Sequence, residues 1–152
     1  MDIEIVEASP IDPDAVGLIA ELNELLDGLY RPDDNHFALD PTEVTEGRGL
    51  FLVARRGGVP MGCGALRMTA DGRGEIKRMY VRPQTRGQGV GRNILTMLEA
   101  EARRLGATAL VLEMGDSQPQ AHGLYTRAGF SPIPCWAGYL ATPASICLGK
   151  DL

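Results

Sequence analysis

The chain has 152 residues, 44% hydrophobic and 23% charged, with a net charge of -5, the proportions of one ordinary globular domain over residues 1–152 with a single core. No apolar run approaches the ~20 residues of a membrane span, and residues 1–30 carry acids where a signal peptide would carry bases, so neither a membrane partner nor a leader is expected. Three cysteines (Cys63, Cys135, Cys147) without CxxC spacing point away from a disulfide framework and from a zinc site, make Cys63 and Cys147 small buried hydrophobes, and fit a reducing cytoplasm.

Taken in order, Ile3–Ala8 alternates apolar and polar residues and predicts a first strand. Asp12 offers an N-cap with Pro13 behind it, and Val16, Ile19, Leu22 and Leu26 recur at helical spacing, so residues 13–27 predict a helix. Residues 31–48 are polar and loop-like, with a second short helix expected from Asp40-Pro41. Leu50–Arg55 and Val59–Met68 flank Gly57-Gly58 as a hairpin, and Asp71-Gly72 turns the chain into a third strand, Glu75–Val81. From Arg92 to Leu105, Ile94, Leu95, Leu98, Ala102 and Leu105 line one helix face, with Gly106 to stop it. Ala109–Met114 is an apolar run of strand length, giving a parallel pair through a crossover helix. Gln118–Ala128 predicts a further helix and Ser145–Lys150 a last strand.

Acids crowd the start of this plan: residues 1–46 hold 13 against one base, Arg31. A solvated face is the ordinary meaning of such a bias, with attraction of a cationic amine as the alternative. The basic residues form no stripe and aromatics are few, so nucleic acid is not an expected partner.

Between the third strand and the following helix lies Arg86-Gly87-Gln88-Gly89-Val90-Gly91, and Arg92 follows it. Glycines let backbone N–H groups turn around an anion, and a helix N-terminus adds unpaired N–H groups and its positive dipole end. Lys77, Arg78, Arg82, Arg86 and Arg92 supply five bases with no acid among them. Together these predict a phosphate site. It is not a Walker loop, since no Gly-Lys-Ser or Gly-Lys-Thr occurs, and G-x-G-x-x-G fails because Arg92 stands at the third glycine.

What fits is R-x-x-G-x-G, written by Arg86, Gly89 and Gly91. Here the chain resembles the GNAT superfamily of acyl-CoA-dependent N-acetyltransferases, and the order of elements matches that fold over nearly the whole chain. The resemblance implies a mixed central sheet of about six to seven strands flanked by about four helices. It implies acetyl-CoA as acyl donor, a small amine as acceptor, no metal, and a monomer or homodimer. Arg86, Gly87, Gln88, Gly89, Val90, Gly91 and Arg92 would hold the pyrophosphate, and main-chain groups of Met79, Tyr80 and Val81 would pair with the pantetheine amides.

Acyl transfer to an amine needs a neutral nucleophile, a polarised carbonyl and a proton for the departing thiolate. The segment from Ala121 through Leu124-Tyr125 to Gly129-Phe130 is similar to the family pattern A-x-x-L-Y-x-x-x-G-F. This gives Tyr125 the position beside the sulfur and the role of proton donor; a tyrosine packed on the core face of its helix is the alternative. Gln118 stands where family members often carry an Asn that bonds the pantetheine arm. Glu75 resembles the general base of one branch of the family, against the alternative of a surface ion pair with Arg73 or Arg78. The acceptor is expected between Leu25–Phe37 and Pro134–Tyr139, with Asp33, Asp34, His36, Trp136 and Tyr139 as candidates. Gln118–Ala121 and Ser145–Lys150 resemble small bacterial members and point to a small metabolite. A non-catalytic acyl-CoA sensor and a nucleotide binder using the loop alone are the competing readings.

Overall fold

The computed structural model describes residues 2–31 and 39–152. Seven strands form one mixed sheet: β1 (Ile3–Glu7), β2 (Gly49–Arg56), β3 (Val59–Met68), β4 (Gly74–Val81), β5 (Ala109–Gly115), β6 (Ser131–Pro132) and β7 (Ser145–Asp151), in the order β1-β2-β3-β4-β5-β7-β6. Among the described residues there are three α-helices, α1 (Pro13–Leu29), α2 (Val90–Arg104) and α3 (Pro119–Arg127). The fourth helix expected from Asp40-Pro41 is a 3-10 turn, Pro41–Val44. Its four residues are held by a reciprocal cap, Thr42 N–H to Asp40 Oδ1 at 2.9 Å and Asp40 N–H to Glu43 Oε1 at 3.2 Å. That box closes one turn and goes no further.

Side-chain alternation sorts the apolar residues onto two faces. On one face Leu52, Leu66, Ile76, Leu110, Leu112 and Leu148 meet Ile94, Leu98 and Ala102 of α2 together with Tyr125 and Phe130. On the other, Phe51, Val53, Cys63, Ala65 and Tyr80 meet Ala15, Leu18 and Leu22 of α1. Cys63 is buried in this second layer, as the sequence led one to expect.

Two irregularities in β4 open the sheet. Its parallel pairing with β5 covers only Gly74–Ile76 against Leu110–Leu112, and beyond that point the two strands part. On its other side, Cys63 pairs with Tyr80 and Ala65 with Lys77, so Gly64 faces two residues, Arg78 and Met79. This is a bulge, with Arg78 at φ +56 and its carbonyl accepting from the Cys63 thiol at 3.4 Å. A side chain at Gly64 would reach within 2.5 Å of the Met79 sulfur, so only glycine lets the bulged strand and α2 close over it. No described helix is long and apolar enough to cross a membrane.

The structure corrects the cysteine reading. Cys135 and Cys147 form a disulfide across a sequence separation of 12. The segment after β6 returns over β7, which brings the two thiols together although no local spacing signals it.

Candidate active site

The loop before α2 is built as a cradle. Gly87 and Gly89 stand at φ +80 and +82, and a Cβ at either would meet nothing within 4 Å, so the space before the helix is open. Gly89 is the N-cap of α2 and no side chain caps the helix, leaving the first-turn N–H groups without helical partners. Val90 is buried and anchors the turn, while Gly91 lets α2 approach α3, a Cβ there lying 3.3 Å from Leu124. Gln88 accepts a hydrogen bond from Arg56.

The cation cluster is smaller than expected. Arg82 is taken by Glu21 of α1, with Nη2 to Oε2 at 2.6 Å, and Arg78 by Asn23 of the same helix at 2.6 Å. Lys77 lies on the α1 face of the sheet as well. Only Arg86 and Arg92 remain beside the loop, Arg86 spanning from the Val81 carbonyl to Gln120 of α3 and Arg92 reaching the Arg127 carbonyl. The acidic start of the chain is therefore partly spent on holding α1 to the sheet, through Glu21 and through Asp14 with Arg55.

A cavity runs through the gap between β4 and β5. Its walls include Met79, Tyr125, Gln118 and Met114, and also Glu75, Lys77, Glu113, Tyr139 and Tyr30. Tyr125 belongs to the apolar layer with α2 and packs edge-on to Phe130 at 5.7 Å. Its hydroxyl has no hydrogen-bond partner among the described residues and is not fully buried, and burial of the ring holds its pKa well above that of free tyrosine. Gln118 stands at the N-cap position of α3 without a side-chain cap bond and turns its amide toward the Tyr30 hydroxyl at 3.5 Å, an oxygen that also receives the Ser117 N–H at 2.9 Å. Tyr30 lies flat against Gly115, where a Cβ would fall 2.0 Å from the ring. Met79 and Val81 pack their side chains on the α2 layer and Tyr80 bonds Glu21, while Met79 also lines the cavity.

Glu75 is 1% exposed and does not pair with Arg73 or Arg78. Its Oε1 accepts from Nε and Nη2 of Arg67 at 3.0 and 2.8 Å, and its Oε2 accepts from the Tyr139 hydroxyl at 2.7 Å. Arg67 also donates to Glu43 at 2.6 Å. Such a buried carboxylate is tolerable only because its charge is met by paired donors. The sequence reading did not give this pair: counting outward from a two-residue Asp71-Gly72 turn sets Met68 opposite Glu75, whereas the chain turns over three residues, Ala70, Asp71 and Gly72, and so brings Arg67 there. Tyr139 sits in a 3-10 turn, Ala137–Ala141, with Trp136 edge-on at 5.2 Å and the Arg73 guanidinium 5.1 Å from the indole. The disulfide fixes this segment beside β7. Of the acceptor candidates, Tyr139 lines the cavity and Trp136 only packs against Tyr139, whereas Asp33, Asp34 and His36 lie outside the described residues.

Sequence reasoning passed over Glu113, reading β5 as an apolar run. It is the one acid in Ala109–Gly115, and an acid inside such a strand was the available sign. Its Oε2 accepts from the Ser145 hydroxyl of β7. Burial raises its pKa above the ordinary carboxylate range, the Ser145 hydrogen bond opposes that, the nearby Glu75 adds to it, and Lys77 counters it. No cluster of metal-ligating side chains occurs among the described residues.

The acetyltransferase (GNAT) family matches residues 19–130. The IAA acetyltransferase of Azospirillum brasilense is 40% identical over 152 residues, covering 99% of each chain. This protein belongs to the GNAT acetyltransferase family. The aminoalkylphosphonate N-acetyltransferase of Salmonella typhimurium is 33% identical over 135 residues, covering 84% of each chain. A solved Klebsiella pneumoniae chain assigned as an acyl-CoA N-acyltransferase has a TM-score of 0.83 at 34% identity, over 99% of this chain and 97% of that one. The fold is shared with the PaiA N-acetyltransferase of Thermoplasma acidophilum, solved with coenzyme A, at a TM-score of 0.77 and 17% identity over the full length of both. GNAT acetyltransferases draw their acyl group from acetyl-CoA, and the glycine cradle and parted strands of this chain suit that donor.

Proposed function

We propose that this GNAT acetyltransferase is an N-acetyltransferase that moves the acetyl group from acetyl-CoA to the amine of a small molecule. The observation that carries the reading is the cavity through the β4–β5 gap, with an unpartnered tyrosine hydroxyl on one side and a buried carboxylate network on the other. In this reading the pyrophosphate lies on Arg86–Arg92. The pantetheine arm enters the gap against the main chain of Met79, Tyr80 and Val81 as an added strand would, with Gln118 beside it.

Tyr125 then stands at the sulfur and gives its proton to the thiolate as the C–S bond breaks. The raised tyrosine pKa keeps the hydroxyl protonated until that moment, and makes it a weaker acid than free tyrosine. The amine enters from the α1 side, where Glu75 and Tyr139 give it a negative charge and a hydroxyl to lie against. Glu75, expected as the base, is proposed at this amine end as the carboxylate that stabilises the incoming cation and directs the Tyr139 hydroxyl.

The test is acetyl-CoA with 2-aminoethylphosphonate, glutamate, spermidine and tyramine, scored by free thiol and by mass of the product. Amine-dependent thiol release with an acetamide product is expected. Binding of acetyl-CoA with no transfer to any of the four amines would instead favour a sensing role.

A further inference from the structure

The bulge in β4 decides which side chains face α1. Ile76 packs in the layer under α2, so alternation sets Glu75 and Lys77 on the α1 side and would send Arg78 back toward α2. The extra residue opposite Gly64 interrupts that alternation. Met79 takes the place in the α2 layer, and Arg78, at φ +56, turns to α1, where its Nη2 donates to Asn23 at 2.6 Å. Two adjacent cations thereby face one way, and both line the cavity with Glu75, Glu113 and Tyr139.

Arg78 differs from the other guanidiniums of this side in what it meets. Arg82 is held by Glu21, Arg55 by Asp14, and Arg67 by Glu75 and Glu43, a carboxylate in every case. Arg78 has the neutral Asn23 amide and makes no ion pair among the described residues. Burial pushes its pKa down, and the group opposing this is the Cys63 thiol, where Arg82 has Glu21. A guanidinium stays ionised and carries five N–H donors in a planar fork, so a half-buried one with a single neutral partner suits an oxyanion. Lys77 already has Glu75 and Glu43 within electrostatic reach, which leaves Arg78 as the cation for a ligand to neutralise.

We propose that Arg78 receives an oxyanion carried by the acceptor, so that the substrate is an amine that also bears a carboxylate or phosphonate group. This rests on the N-acetyltransferase reading above and narrows its small molecule. The ammonium lies toward Glu75 and Glu113, and the acid toward Arg78, three residues further along β4. Three residues of strand span at most about 10 Å, a reach compatible with an acid held a few bonds from the nitrogen. An acceptor without the acid leaves the guanidinium desolvated and unpaired, and that cost separates the two classes of amine.

The experiment uses amines that differ in the acid alone: tyrosine against tyramine, and β-alanine and 2-aminoethylphosphonate against ethylamine. The last two acids distinguish a carboxylate from a phosphonate. In the wild type, kcat/KM for the favoured acid should exceed that for its parent amine by about tenfold or more. Arg78→Met should lower kcat/KM for that acid chiefly through KM and bring acid and parent to within about threefold of each other, and Arg78→Lys should recover part of the preference. Acetyl-CoA affinity should hold in both variants. No preference for any acid over its parent overturns the assignment, and this outcome reads the wild type alone, whatever the variants do. An unchanged ratio of acid to parent in Arg78→Met, or a loss of acetyl-CoA affinity, also overturns it. A second measurement needs no turnover: calorimetry of N-acetyltyrosine and N-acetyltyramine on the coenzyme A-bound protein. Tighter binding of the acid, lost in Arg78→Met, in a protein that acetylates none of the amines keeps the anion site and overturns the N-acetyltransferase reading instead. No turnover together with no preference in binding overturns both.

Discussion

At Gly89 the backbone holds φ +82, a conformation glycine adopts freely and β-branched residues almost never do. Valine there would drive the chain to negative φ and turn the first N–H groups of α2 away from the anion, although the space itself is open. Gly89→Val is expected to weaken acetyl-CoA binding more than tenfold, about 1.4 kcal/mol, while the circular dichroism spectrum stays native; calorimetric affinity within about threefold of wild type would remove the cradle from the donor site. Tyr125 gives a complementary test, because its hydroxyl makes no bond that the fold needs. Tyr125→Phe should leave acetyl-CoA affinity unchanged and lower kcat by about 10²-fold, read in single-turnover thiol release so that product departure does not mask the step. An unchanged single-turnover rate would return Tyr125 to the packing of α3 on Phe130.

The segment from β6 to β7 shows how an element with little regular structure can be made firm. Residues 133–144 contain one 3-10 turn, and they are pinned by the disulfide, by the Arg73–Trp136 contact and by the Tyr139–Glu75 hydrogen bond. Cutting the disulfide removes a constraint worth roughly 3 kcal/mol for a closed loop of this size. Cys135→Ser should therefore lower the melting temperature and raise KM for the amine, yet leave acetyl-CoA affinity alone, since among the described residues the hydrogen bonds of the cradle run to β2, β4 and α3 and not to this segment. Equal losses at both substrates would mean that the segment supports the whole sheet and not the acceptor end. Strands, hairpins and α2 were legible in the sequence because their periods and turn residues are local, and the cradle was legible because three glycines and a helix start sit together. The disulfide was not, since it depends on where a non-repetitive segment returns. Nor was the loss of Arg78 and Arg82 to α1, which follows from strand alternation and from a bulge that no residue pattern announces. Glu75 was singled out in the sequence and lines the cavity, but its partner Arg67 required the register of the second hairpin.

Across the whole molecule, charge is placed where it ties α1 and the 3-10 turns to the sheet, and one carboxyl works against folding. Glu21 is held below the ordinary carboxylate range chiefly by Arg82, and Glu43 and Glu99 are also held below it, by their partners Arg67 and Lys150 against the cost of burial. A depressed carboxyl stabilises the fold above its unfolded pKa and loses that contribution as pH falls through the folded value. Glu113 has the opposite sign, because its folded pKa is raised. The folded state then binds the Glu113 proton more tightly than the unfolded chain does, so stability on this account is greatest in acid. It declines as pH rises from the unfolded value through the folded one, and above that the penalty is complete. Glu113→Gln removes the ionisation and keeps an oxygen for Ser145. The variant should melt above wild type at neutral pH, and the gain should disappear in acid. Thermal scans of both proteins across that range check it. A variant less stable than wild type at neutral pH would make the ionised Glu113 a supporting member of the β5–β7 pair through Ser145, whereas a gain would show that its charge is held against the cost of burial.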